Sequence, residues 1–234
     1  MSDLAPTHSI DPIEAARRKF SEGDAEGALG GLEALLSANP EDFRVQIYFA
    51  QMLGDSGLQV GGALGSERLE QAIGMLEGLT LRLRNQSAED RWWVRRHLYY
   101  FRGDHLRNYR LGVEEVARGN KKGYLSQGFG ATGHALKLNQ SIRNRKRAQL
   151  WAKRGEEAWK SLFKREPKKP GRLCNLAIAL AVQGRFTEAE KTIHDAARLA
   201  GVPIEAFSEL REELRQIWRG IREAGLPSEE EAGS

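Results

Sequence analysis

Between Pro170 and Pro203, apolar and small side chains return every third or fourth position: Leu173, Leu176, Ala177 and Leu180, then Ala189, Ile193 and Ala196. That spacing marks one face of an α-helix. Gly184, between the two runs, is the unhindered residue that a tight inter-helix turn requires. The stretch predicts a helix–turn–helix of about 34 residues. The same pattern recurs near the start of the chain. Asp11-Pro12 reads as an N-cap followed by proline at the first helical position. A helix over Ile13–Phe20 then leads to Gly23-Asp24, and a second runs through Ala28, Leu32 and Leu35 to Asn39-Pro40.

The next helix pair begins in FRVQIYFAQMLGDSG, with Ala50 on its inner face and Gly57 at the turn. LQVGGALGSE (58–67) interrupts the pattern and predicts a surface-loop insertion, before a helix through Arg68, Ala72, Leu76 and Leu79. Ser87 to Asn120 predicts a weaker pair that turns at Gly103-Asp104 and is aromatic on more than one side. Residues 119–140 are the least regular: a loop, then a helix from about Tyr124 to Leu138 with glycines at 128, 130 and 133. Glycines inside a helix cost roughly 1 kcal/mol each relative to alanine, so they serve close packing or the segment is poorly ordered. A long basic helix follows over Ser141–Arg165, with Leu150, Trp151, Ala158, Trp159 and Leu162 on its apolar side. Phe207, Leu210, Leu214, Ile217, Trp218 and Ile221 make the stripe of a last amphipathic helix over Ile204–Ala224. Residues 1–10 read as a flexible arm and 225–234, rich in glutamate, as a disordered tail.

The segment 170–203 resembles a tetratricopeptide repeat (TPR): Ala177, Ala189 and Ala196 stand at its three small-residue places and Gly184 with Arg185-Phe186 at its turn. Ala16, Gly23, Ala28 and Asn39-Pro40 carry the likeness to residues 11–40, and Ala50 and Gly57 to the interrupted unit. Trp92 stands where the family favours tryptophan, but Arg96 and Asn108 occupy places the family keeps small. The resemblance implies an all-α, right-handed superhelical array of antiparallel helix pairs over residues 11–224, closed by a capping helix. It also implies peptide or protein binding in a concave groove lined by first helices. By position the groove candidates are Arg44, Tyr48, Gln51, Trp93, His97, Tyr100 and Asn175. The lysine–asparagine clamp that some members use for a terminal carboxylate is absent, because the matching places hold Ile13, Ile47 and Trp93, then Arg17, Gln51 and His97.

Charge changes the picture more than composition does. The 234 residues carry a net charge of +4, but 1–81 hold 5 basic and 13 acidic residues, 82–169 hold 23 and 8, and 170–234 hold 8 and 11. A strongly basic middle lies between acidic ends. Arg143, Arg145, Lys146 and Arg147 form its densest cluster, and Arg95 and Arg96 belong to a second group among aromatic residues. Such a surface suits an acidic protein partner, a second copy of the chain, or RNA or DNA whose bases stack on the rings. Its bland alternative is a solvated face.

Other chemistry is sparse. GFGATG at 128–133 spells G-x-G-x-x-G, but RGNKKGYLSQ before it is no buried strand and no βαβ pattern surrounds it, so no dinucleotide site is expected. None of His8, His97, His105, His134 and His194 falls in a metal-ligand spacing. The lone Cys174 suits a small apolar role inside a helix. The first residues lack the basic start and apolar core of a signal peptide, and no apolar run is long enough to span a membrane, so a cytoplasmic location is expected. The expectation overall is a non-catalytic interaction module without cofactor or metal that binds an acidic or peptide partner. Its alternative is a helical-repeat nucleic-acid binder using residues 91–169.

Overall fold

The computed structural model describes residues 11–223, so the predicted arm and tail, with His8, lie outside the described residues. Most of the described residues are helical and none forms a strand. Among the described residues eleven α-helices follow one another, and neighbours in sequence pack together within each of two compact units divided after Arg102.

The first unit holds α1 (Pro12–Ser21), α2 (Ala25–Ala38), α3 (Phe43–Val60), α4 (Gly62–Thr80) and α5 (Ala88–Phe101). The starts of four of these helices are written locally. Asp11, Asp24, Asp42 and Ser87 each accept a hydrogen bond from a backbone N–H of the first turn, at 2.8–3.1 Å. Each such cap is worth about 1 kcal/mol. Ala16, Ala28, Ala50 and Ala72 are buried at the helix seams beside Leu32, Ile47 and Leu76. Besides its sequence neighbours, α3 touches α1 and α5, so the three odd-numbered helices run side by side.

The 58–67 segment is not a loop. The α3 helix continues to Val60, only Gly61 (φ +64°) breaks the chain, and α4 begins at Gly62. Glycine explains the difference. A Cβ on Gly57 would lie 2.7 Å from the Gly65 carbonyl, and one on Gly65 2.5 Å from that of Gly57. The extra residues therefore lengthen two helices that meet backbone to backbone.

The second unit holds α6 (His105–Ala117), α7 (Gly123–Asn139), α8 (Arg145–Arg165), α9 (Pro170–Val182), α10 (Phe186–Ala200) and α11 (Ser208–Glu223). The division falls at the Gly103 turn, so α5 and α6, predicted as one hairpin, belong to different units. Close packing is the reason for the glycines of α7. Gly112 and Gly123 meet across α6 and α7, Gly130 lies against the α6 backbone, and Gly128 lies under the Trp159 ring. The G-x-G-x-x-G match is thus the middle of a buried helix. Trp159 is fully buried, donates its indole N–H to Thr132 Oγ1 at 3.1 Å and meets Phe129 edge to face. Ala177, Ala189 and Ala196 are fully buried in the same core, and Leu214, Ile217 and Ile221 anchor α11 to it.

Candidate binding site

The first-unit site grows from two helical stripes. Arg44, Tyr48, Gln51 and Asp55 follow one another at spacings of three or four on α3, hence on one face. Trp93, Arg96, His97 and Tyr100, at i, i+3, i+4 and i+7, likewise share one face of α5. Tyr48 is held between two cations, with the Arg17 guanidinium 5.6 Å and the Arg44 guanidinium 5.9 Å from its ring centre. Gln51 Nε2 donates to Asp55 at 3.4 Å. Burial pushes the Asp55 carboxyl up, against the Gln51 hydrogen bond and the Arg96 charge. Burial also raises the Tyr100 hydroxyl, helped by Asp55. Five of the seven groove candidates, Arg44, Tyr48, Gln51, Trp93 and Tyr100, therefore stand exposed or half-buried on these stripes.

The other two do not stand exposed on these stripes. His97 is only 2% exposed. Arg96 Nη1 donates to its Nε2 at 2.7 Å, which leaves Nδ1–H to donate to the Trp93 carbonyl at 2.8 Å. Burial, then the Arg96 charge, holds this imidazole well below the usual histidine range, so it is a neutral packing residue. Asn175 belongs to the second unit, where its amide donates to the Gly171 carbonyl of its own helix at 2.8 Å. Asp55 and Arg17 are the site residues that the groove candidates omit. Asp55 was findable as the position one turn beyond Gln51.

The basic cluster also divides. Arg95 is exposed, but Arg96 is 6% exposed and lies against the rings of Trp92 and Trp93. It is a packing residue where a small one was expected. Arg145 is 7% exposed and donates to the Val182 carbonyl at 3.2 Å, and burial pushes its guanidinium down to about 10, still a cation at neutral pH. Only Arg143, Lys146 and Arg147 of that cluster reach solvent. Leu150, expected on the apolar side of α8, is 64% exposed beside them. Trp151 is half-buried, meeting the Tyr109 ring at 5.0 Å and the His134 ring at 4.9 Å, both edge to face, with the Arg154 guanidinium 4.5 Å from its centre.

Cys174 is half-buried and its thiol is raised by burial, consistent with packing rather than reactivity. Among the described residues no group of three or more His, Cys, Asp or Glu side chains could hold a metal ion. No helix among them is long and apolar enough to cross a membrane.

Fold and site together define an all-helical protein of sequentially paired helices whose candidate surfaces are helix faces. The chain matches no protein-family model and no curated protein sequence.

Proposed function

We propose that this chain is a TPR-like, non-catalytic interaction module that binds an acidic peptide segment of a partner protein along the α1–α3–α5 face. The observation that carries this reading is the pair of stripes on neighbouring helices, in which cations, rings and an amide alternate over three adjoining helices. Arg17 and Arg44 remain about half exposed, and their intramolecular partners are the exposed Glu14 and Asp11. Such exposed pairs are worth about 0–1 kcal/mol, so a partner carboxylate can replace them at little cost. Gln51 Oε1 and Trp93 Nε1 are shielded from solvent without a hydrogen-bond partner among the described residues. One is an acceptor and the other a donor, and a peptide group turned toward them supplies both complements after a side-chain rotation. The right-handed superhelix of a TPR array belongs to this proposal, supported by the buried alanines at the seams and the odd-numbered helices in contact.

A random peptide display selection against the full chain tests it. Selected peptides are expected to be enriched in aspartate and glutamate, with affinity that falls as salt rises. Arg44→Glu with Tyr48→Ala is expected to weaken them at least tenfold while the helical circular dichroism stays unchanged. Selected peptides that bind this variant as well as the parent would remove the α3 stripe from the reading.

A further inference from the structure

The second unit carries a different surface. Arginines on its carboxy-terminal helices are largely tied to carboxylates: Arg172 to Glu166, Arg185 to Glu156 and Glu188, Arg198 to Asp195, Arg211 to Glu190, and Arg215 and Arg219 to Glu212. At the end of α7, in the turn after it and along the first half of α8 the opposite holds. Lys137, Arg143, Lys146, Arg147, Lys153 and Arg154 have no carboxylate partner among the described residues. Arg147, Trp151 and Arg154 lie at spacings of four and three, which on α8 is a single stripe with an indole between two cations, and Arg143 stands in the turn just before the helix. Lys137 and Arg147 both act on His134, which itself meets Trp151, so cations from α7 and α8 converge on one ring cluster.

Unpaired cations alone would suit any polyanion. The rings select among them. The Arg154 guanidinium lies over the Trp151 ring, 4.5 Å from its centre, flanked by the half-buried Tyr109 and His134 and by the exposed Leu150. Carboxylates of an acidic peptide would use the charges and leave this flat surface idle. An unpaired nucleobase uses both, because bases stack on aromatic rings and on arginine planes while the backbone phosphates take the surrounding cations. A duplex keeps its bases stacked internally and offers none.

We propose that the α6–α7–α8 surface centred on Trp151 binds single-stranded nucleic acid, with Lys137, Arg147 and Arg154 on the phosphates and a base stacked on the Arg154–Trp151 pair. This site lies in the second unit and is independent of the peptide face proposed in the first.

The test is fluorescence anisotropy of labelled oligo(U) and oligo(dT) with the nuclease-treated full chain, over a salt series. The parent is expected to bind, and Trp151→Ala to weaken binding about tenfold, the loss of one stacked base. Arg147→Glu with Arg154→Glu changes two exposed side chains that make no hydrogen bond or ion pair among the described residues, so it keeps the test valid if Trp151→Ala fails to fold. It is expected to flatten the log–log salt slope by about 1.4, two phosphate contacts at about 0.7 each. Absence of binding at low salt overturns the proposal. So does binding that both variants leave unchanged, or equal competition by polyglutamate, which would make this surface a docking face for an acidic protein.

Discussion

Gly130→Ala is expected to destabilise the second unit by about 2 kcal/mol, although alanine is the better helix former by about 1 kcal/mol. Gly130 lies in the middle of α7, where a Cβ would stand 2.5 Å from the Tyr109 amide nitrogen and 2.6 Å from the His105 carbonyl. Both atoms are backbone, so no side chain can swing aside and α6 itself must move. Overpacking of this kind costs about 1–3 kcal/mol, and contact with a rigid helix belongs at the upper end. Gly74→Ala on α4 is the control. Nothing lies within 4 Å of a Cβ there, so the same change is expected to stabilise by up to about 1 kcal/mol. Urea unfolding of the two variants checks the opposite signs. A stabilised Gly130→Ala would mean that α6 and α7 do not approach as closely as described.

Glu156→Ala is expected to cost about 2–4 kcal/mol at neutral pH. The Glu156 carboxylate is buried and accepts hydrogen bonds from Lys160 at 2.5 Å, Gln183 at 3.0 Å and Arg185 at 2.8 Å. It thereby joins α8 to the turn between α9 and α10. Removing it strands part of the charge of a mostly buried Arg185, which keeps Glu188, so the cost falls short of that for a fully orphaned ion. Burial works to raise this carboxyl, but the bonds from Lys160, Gln183 and Arg185 outweigh it and hold it below the usual glutamate range. The unfolded chain therefore binds a proton more readily than the folded one. The stabilisation is fully present above about pH 4.3, the unfolded value, and is lost as pH falls through the lower folded value. The gap between parent and variant in urea midpoint should shrink on acidification, with hydrogen exchange locating the loss in α8–α10. An equal gap at acid and neutral pH would show that packing, not charge, holds this joint.

The helices and their order were legible in the chain because their signals are local. Asp11 marks a cap beside the helix it starts, Gly184 a turn between two runs, and the recurrence of Ala177, Ala189 and Ala196 a seam within one helix pair. The groove positions on α3 came from the likeness to the repeat, and their spacing of four and three is why Arg44, Tyr48 and Gln51 share one face. Spacing has no access to what lies across a helix pair. Gly57 and Gly65 read as loop residues until each is seen against the other's carbonyl, and the glycines of α7 could equally have signalled disorder. Charge is subject to the same limit. Arg96, Arg145 and Arg147 are alike in sequence, but the first packs on two indoles, the second donates to Val182, and the third reaches solvent. A guanidinium's role depends on the acceptors within a few ångströms of it, and those come from residues as distant in the chain as 145 and 182. Periodicity thus accounts for the helices and for which residues share a face. Burial of polar groups, the glycine contacts and the unpaired cations around Trp151 arise where helices meet, through distances that a linear pattern does not contain.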